Sequence, residues 1–162
     1  MKTLVYILFS TLFLISASCG SKKNSAESGI KITIYSNYFL KNNYKQEKAV
    51  DLIVLNDKVI FNNIFGIAKT MSNEIVSPDF DAEFVLAIAA EPTNIKTDIH
   101  LDKVQQKGSE ILIYATILKG EEQSFSSNPL VIFSIPRDES IEKAQLYIDG
   151  NLVGTQILQT KE

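Results

Sequence analysis

Cysteine, histidine and tryptophan are almost missing from this chain. Its 162 residues include one Cys, one His and no Trp. A single thiol closes no internal disulfide, so no disulfide framework exists. A single imidazole excludes every His-rich metal site and narrows the acid–base schemes open to the protein. The seven glycines and four prolines are scattered, and no Gly-rich loop that could cradle a phosphate occurs. Charge of one sign is scarce too: 16 basic against 19 acidic residues give a net charge of −3. A weakly acidic chain without a basic block is a poor nucleic-acid ligand, because phosphate neutralisation dominates that affinity. Disorder is excluded as well, since 45% of the residues are hydrophobic and disordered chains combine few apolar residues with large net charge. The length suits one domain.

What is present begins with a leader-like segment. Met1-Lys2 gives a short basic start, and Leu4 to Ala17 is almost wholly apolar or small. As a helix this run reaches roughly 21 Å at about 1.5 Å per residue, short of the bilayer core at about 30 Å. A charged start, a short apolar run and then small residues is the layout of a secretory signal peptide, read here as residues 1–18. The small residues end in Ser16-Ala17-Ser18-Cys19-Gly20. This resembles the lipobox of bacterial lipoproteins, with Ser16 where that motif usually carries Leu. The resemblance implies that Cys19 becomes a lipidated N-terminus. Several acyl chains hold a protein to a bilayer far better than one, at about 0.8 kcal/mol per buried CH₂. Residues 19–29 are then the lipidated Cys and a polar, flexible tether. The implied location is the bacterial cell envelope, on the periplasmic side of the outer membrane or on the cell surface, with the lipid anchor holding the chain to the membrane.

Residues 30–162 read as one β-rich globular domain. Ile30, Ile32 and Ile34 alternate with polar residues, the period-two signal of a half-buried strand. Val50–Leu55 is a second strand. A helix is expected over about 57–70, capped by Asn56 or Asp57, with Ile60, Ile64 and Ile67 on its inward face and Phe61, Phe65 and Ala68 beside them. Phe84–Ala90 is a continuous apolar run, which predicts a strand buried on both faces. Glu91-Pro92-Thr93-Asn94 reads as a turn. Strands follow at Thr97–Asp102, Ile111–Ile117, Leu130–Ile135, Ala144–Ile148 and Leu152–Leu158, with a hairpin at Lys107-Gly108 and another at Asp149-Gly150. Lys119–Asn128 reads as a polar loop. The expected fold is α+β: a mostly antiparallel β-sandwich or partly open barrel of about eight strands with one helix.

Several groups of side chains bear on chemistry or binding. Asp98, His100 and Asp102 alternate, so on a strand they share one face and offer a metal-binding reading, His and Asp being suitable zinc ligands. Against it, Ile99 and Leu101 need the core, and polar residues on the opposite face are ordinary solvent-facing choices. Asp79, Asp81 and Glu83 alternate in the same way, but without the Gly turn of a calcium loop; Phe80 between them is expected to plug the core. Two segments are candidate binding loops: Glu91, Pro92, Thr93 and Asn94, and the polar stretch carrying Ser124 and Phe125. Tyr35, Tyr38, Phe39 and Tyr44 are read either as core or as an exposed aromatic patch. Nucleophilic catalysis needs a nucleophile, a base and an orienting group. Serines abound, yet no Gly-x-Ser-x-Gly elbow occurs and His100 is the one His, so no enzyme and no cofactor are expected.

The stretch Ser77-Pro78-Asp79-Phe80-Asp81-Ala82-Glu83-Phe84 through Ala90-Glu91-Pro92-Thr93 resembles the central part of domains related to the C-terminal domain of a protease-complex subunit, the PrcB-like family. There an Asp-Phe pair precedes an apolar strand, a Pro-Thr turn follows, and two hairpin strands come next. The resemblance covers roughly residues 55–148. The chain departs from it after Pro-Thr, where the family often has Gly-Gly-Tyr and this sequence has Asn94-Ile95-Lys96. Such domains also occur on Bacteroidetes-type lipoproteins. The resemblance implies a protease-associated or envelope binding module that contacts a protein partner without catalysis. Two alternatives stand beside it: a protease-inhibitor-like module that inserts its loops into a cleft, and a metal-binding protein using Asp98, His100 and Asp102.

Overall fold

The computed structural model describes residues 29–68 and 75–158. Its elements run β1 (Thr33–Tyr35), β2 (Tyr38–Leu40), β3 (Val50–Leu55), α1 (Lys58–Ile64), β4 (Phe65–Ile67), β5 (Glu83–Ala90), β6 (Thr93–Lys107), β7 (Glu110–Ser127), β8 (Leu130–Pro136), β9 (Lys143–Ile148) and β10 (Asn151–Ile157). One four-stranded sheet has the order β1-β8-β5-β3, a second the order β10-β9-β7-β6, and β2 pairs with β4 alone. Every pairing is antiparallel except β7 with β9. This is the expected α+β sandwich, with no closed barrel. The strands beyond the expected eight are β2 and β4, each three residues long.

The first sheet lies in the middle, and β5 shows why. Phe84, Leu86 and Ile88 on one face meet Ile111, Ile113 and Leu146 of the second sheet. Val85, Ala87 and Ala89 on the other face meet Phe61, Phe65 and Phe80. Both faces are covered, so the strand needs no polar residue, as its unbroken apolar run predicts. Each large side chain fully buried here contributes about 1.5–3 kcal/mol of transfer free energy.

The covering layer corrects the helix expected over 57–70. Asp57 does cap it, its carboxylate accepting from the Val59 and Ile60 N–H groups, but α1 stops at Ile64. Phe65, Gly66 and Ile67 become β4, paired with Leu40, Phe39 and Tyr38. The pairing is close: a Cβ on Gly66 would meet the tip of the Phe39 ring, so a larger residue there would displace that half-exposed side chain. The inward face also differs. Phe61 is 2% exposed whereas Ile60 and Ile67 are 51% and 47% exposed, because three aromatic partners take up Phe61. Its ring centroid lies 5.1 Å from Tyr38, 5.1 Å from Phe65 and 5.6 Å from Phe80. Residues 69 and 70 of the expected helix lie outside the described residues.

The longest feature crosses both layers. Glu83 pairs with Pro136 and Ala89 with Leu130 in the first sheet. Thr93 pairs with Ser127, His100 with Thr116 and Lys107 with Glu110 in the second. Residues 83–107 and 110–136 are therefore the two arms of one hairpin, folded across itself where Pro92 faces the Asn128-Pro129 step. Proline cannot donate to a ladder, which suits a corner where both arms leave one sheet for the other. The closed end turns at Gly108, with φ of +62°. The second turn, Asp149-Gly150, has positive φ at both residues, the type I′ geometry that Asp-Gly favours.

The N-terminal segment closes one side of the sandwich. Gly29 bridges to Gln105 at the edge of β6. Ile30 and Ile32 pack between the sheets, and β1 then pairs with β8. The chain thus passes from the edge of one sheet to the edge of the other.

Candidate functional site

The expected binding segments meet at the corner of the folded hairpin. Glu91 and Pro92 form the link, but Thr93 and Asn94 already belong to β6. Ser124 and Phe125 are not in a loop. They lie in β7, whose ladder with β6 continues to Ser127, so the loop expected at Lys119–Asn128 is strand for most of its length. Its polar composition fits a strand exposed on both faces, where no hydrophobic alternation is needed. The ladder is irregular there: Thr93 pairs with Ser127 and Ile95 with Glu122, so Gln123–Ser126 bulge outward. Phe125, on that bulge, is 60% exposed.

Local hydrogen bonds hold the corner. The Asn94 amide donates to Glu122 Oε1 at 2.8 Å, joining the two candidate segments. The Thr93 hydroxyl accepts from the Ile95 N–H at 3.1 Å, and the Ala90 N–H donates to the Pro129 carbonyl at 2.9 Å. Beneath the corner, the Gln46 amide nitrogen lies within hydrogen-bonding reach of the Lys48, Ala49 and Ala89 carbonyls. The loop carrying Gln46 is itself anchored by Asp51, which accepts from the Tyr44 hydroxyl at 3.0 Å and from the Glu47 and Lys48 N–H groups. Burial, then the hydrogen bond to Asp51, pushes the Tyr44 hydroxyl well above the usual phenol range. Sequence reasoning missed Gln46, Asp51 and the bracing loop, which is held by irregular local hydrogen bonds and one long-range bond to Ala89 and leaves no periodic signature.

Two grooves flank the corner. One, of about 350 Å³, runs between Thr97–Ile99 on β6 and Leu130–Val131 on β8, with Tyr38 and Phe39 also lining it. The other, of about 340 Å³, lies between Leu40, Tyr44, Gln46, Pro92 and Asn128. Phe39, at 49% exposure, and Tyr38 contribute the aromatic surface. Tyr35, by contrast, is core: its hydroxyl donates to Glu83 Oε2 at 2.5 Å and lies 3.3 Å from Ser134 Oγ. Burial and that bond to Glu83 hold its pKa up at about 12.

Asp98, His100 and Asp102 do share the solvent face of β6. His100 Nε2 lies 3.8 Å from Asp102 Oδ1, and Asp102 accepts from the Thr116 hydroxyl at 2.9 Å. A bulge between Leu101 and Lys103 breaks the even spacing of the strand. Among the described residues, no group of three or more His, Cys, Asp and Glu side chains converges on one point. Asp79 serves its own turn, accepting from the Asp81 N–H at 3.1 Å, and Phe80 fills the core as expected.

Cys19, the leader at 1–18 and most of the tether lie outside the described residues. No helix among the described residues is long and apolar enough to cross a membrane. No family model, no curated protein and no solved structure matches this chain.

Proposed function

We propose that this is a lipid-anchored protein of the bacterial cell envelope whose β-sandwich binds a protein partner without catalysing a reaction, the corner of the folded hairpin being its contact end. The observation that carries this reading is the gathering of Glu91–Asn94, the Ser124–Phe125 bulge and two grooves at one end of the fold. The point where the tether joins supports it. Gly29 bridges Gln105 beside the Gly108 turn, at the opposite end of β6. Twelve strand residues at about 3.3 Å each separate that point from Thr93, on the order of 40 Å. An anchor at Cys19 would hold the contact end away from the bilayer. The PrcB-like resemblance of residues 77–93 adds the association with a protease.

Insertion of loops into a protease cleft is favoured by the same juxtaposition, since it needs both segments at one end. The pairing of Thr93 with Ser127 ties the two segments together and limits how far either could enter a cleft.

Membrane fractionation with mass analysis of the mature N-terminus tests the anchor. Cys19→Ala is expected to move the protein to the soluble fraction. Unchanged membrane attachment would refute lipidation. Crosslinking in native membranes tests the contact end: a partner crosslinked to wild type should be lost in Phe125→Asp and retained in Lys107→Glu at the opposite end.

A further inference from the structure

We infer that the groove between β6 and β8 takes an extended, alternately apolar peptide of a partner protein, added as a short strand beside Leu130, with a basic residue opposite Asp98. The inference rests on the binding-module reading and names the chemistry of its ligand.

Four observations carry it. First, β1 pairs with β8 only from Tyr35↔Ile132 to Thr33↔Ser134. The chain then turns away at Asn37, whose φ is +67°. Backbone groups in an antiparallel ladder alternate between its two sides. Tyr35 meets Ile132 on the outer side of β8, so the Leu130 N–H and C=O point to that side as well. No described residue pairs with Leu130 there. Second, the opposite rim is the outer edge of β6 at Thr97–Ile99, which likewise has no strand beside it among the described residues. An unpaired strand edge is a template for another extended chain. Third, the protein fills the adjoining stretch of the same seam with an extended segment of its own. Residues 29–35 bridge β6, place Ile30 and Ile32 between the sheets and pair with β8. The groove continues that seam past Asn37, and Phe39, Leu130 and Val131 give it apolar seats within a mainly polar lining. Fourth, Asp98 is the one charged residue lining the groove, which selects for a cation in the ligand.

The probe is a capped heptapeptide of alternating valine and threonine with a central lysine, titrated into the full chain in detergent micelles. Fluorescence anisotropy gives the affinity and amide NMR gives the place. Binding is expected, with shifts centred on Leu130, Val131 and Ile99. The same peptide N-methylated on alternate residues along one edge should bind at least roughly tenfold more weakly, because it loses several strand hydrogen bonds. Leu130→Pro removes the N–H facing the groove, together with a partly buried side chain that packs on the core, and should weaken binding at least roughly three- to tenfold. Replacing lysine by glutamate in the peptide should weaken binding to wild type, and Asp98→Asn should abolish that preference.

Equal affinity of the N-methylated peptide would overturn the strand reading whether or not Leu130→Pro folds. So would absence of binding, or shifts confined to another surface. A dimer in sedimentation that Leu130→Pro disperses would assign the groove to a second copy and also overturn the proposal. The outcomes separate from those of the anchor test. If Cys19→Ala stays on the membrane, the anchoring reading fails while the titration stands. If no peptide binds but Phe125→Asp loses its crosslinked partner, the groove proposal fails alone.

Discussion

Truncating Phe61 to alanine tests how the covering layer is held. The side chain is 2% exposed and sits among the rings of Tyr38, Phe65 and Phe80. Removing a buried phenylalanine costs about 3–5 kcal/mol, from lost transfer energy and the cavity left behind. The edge-on and tilted ring contacts place the cost toward the upper half of that span. Little compensates, since α1 has seven residues and isolated helices shorter than about 12–15 residues are marginal in water. For a domain of this size a loss of 3–5 kcal/mol lowers Tm by about 12–20 °C, taking about 4 °C per kcal/mol. Circular dichroism melts of Phe61→Ala and Ile60→Ala would be compared. Ile60 is 51% exposed, so its truncation should cost less than about 1 kcal/mol. If Ile60→Ala lowered Tm as far as Phe61→Ala, the inward face of α1 would be the one its isoleucine spacing predicts, and the aromatic packing described here would be wrong.

High pH should destabilise the fold through Tyr35. Its pKa is raised from 10.0 to about 12, so the folded state keeps the proton that the unfolded state releases. The associated stability is fully present below pH 10 and is lost as pH rises toward 12. Urea midpoints measured between pH 9 and 12 should fall with a slope that Tyr35→Phe reduces; an unchanged slope would remove Tyr35 as the cause. Asp51→Ala should cost about 2–3 kcal/mol, because it leaves the Tyr44 hydroxyl and two backbone N–H groups without their acceptor. Equilibrium urea unfolding checks this, and an unchanged midpoint would show that the bracing loop is held by other contacts.

Much of the fold is legible in local pattern. The run Phe84–Ala90 announces a strand covered on both faces, and Asp149-Gly150 announces a two-residue hairpin, because in both cases neighbouring residues carry the physics. The corner is readable in sequence only as a turn at Glu91–Asn94 and a polar loop at Lys119–Asn128. Their strand state is not, since β7 beyond Leu118 is exposed on both faces and shows no alternation. Phe65-Gly66-Ile67 fits a helix by spacing and is a strand by pairing with Tyr38–Leu40, far away in sequence. The Phe39 ring lies over Gly66, a contact that nothing near Gly66 in the sequence reveals. The groove at Leu130 depends on where the chain leaves β8, after Tyr35 and through the positive-φ Asn37.

The folded hairpin also governs how the chain finds its structure. From the Gly108 turn, each successive pair along residues 83–136 closes only a small additional loop, so the ladder can zip without a large entropic step until it reaches the two prolines. Beyond them the same zipper continues in the other layer, and half of each sheet arises from one nucleus. The slow, long-range events are the later docking of β3 and the parallel arrival of β9, which must search for their places on a surface already built. A strand that arrives late can also leave early, so opening under stress should begin at these flanks and reach the ribbon last.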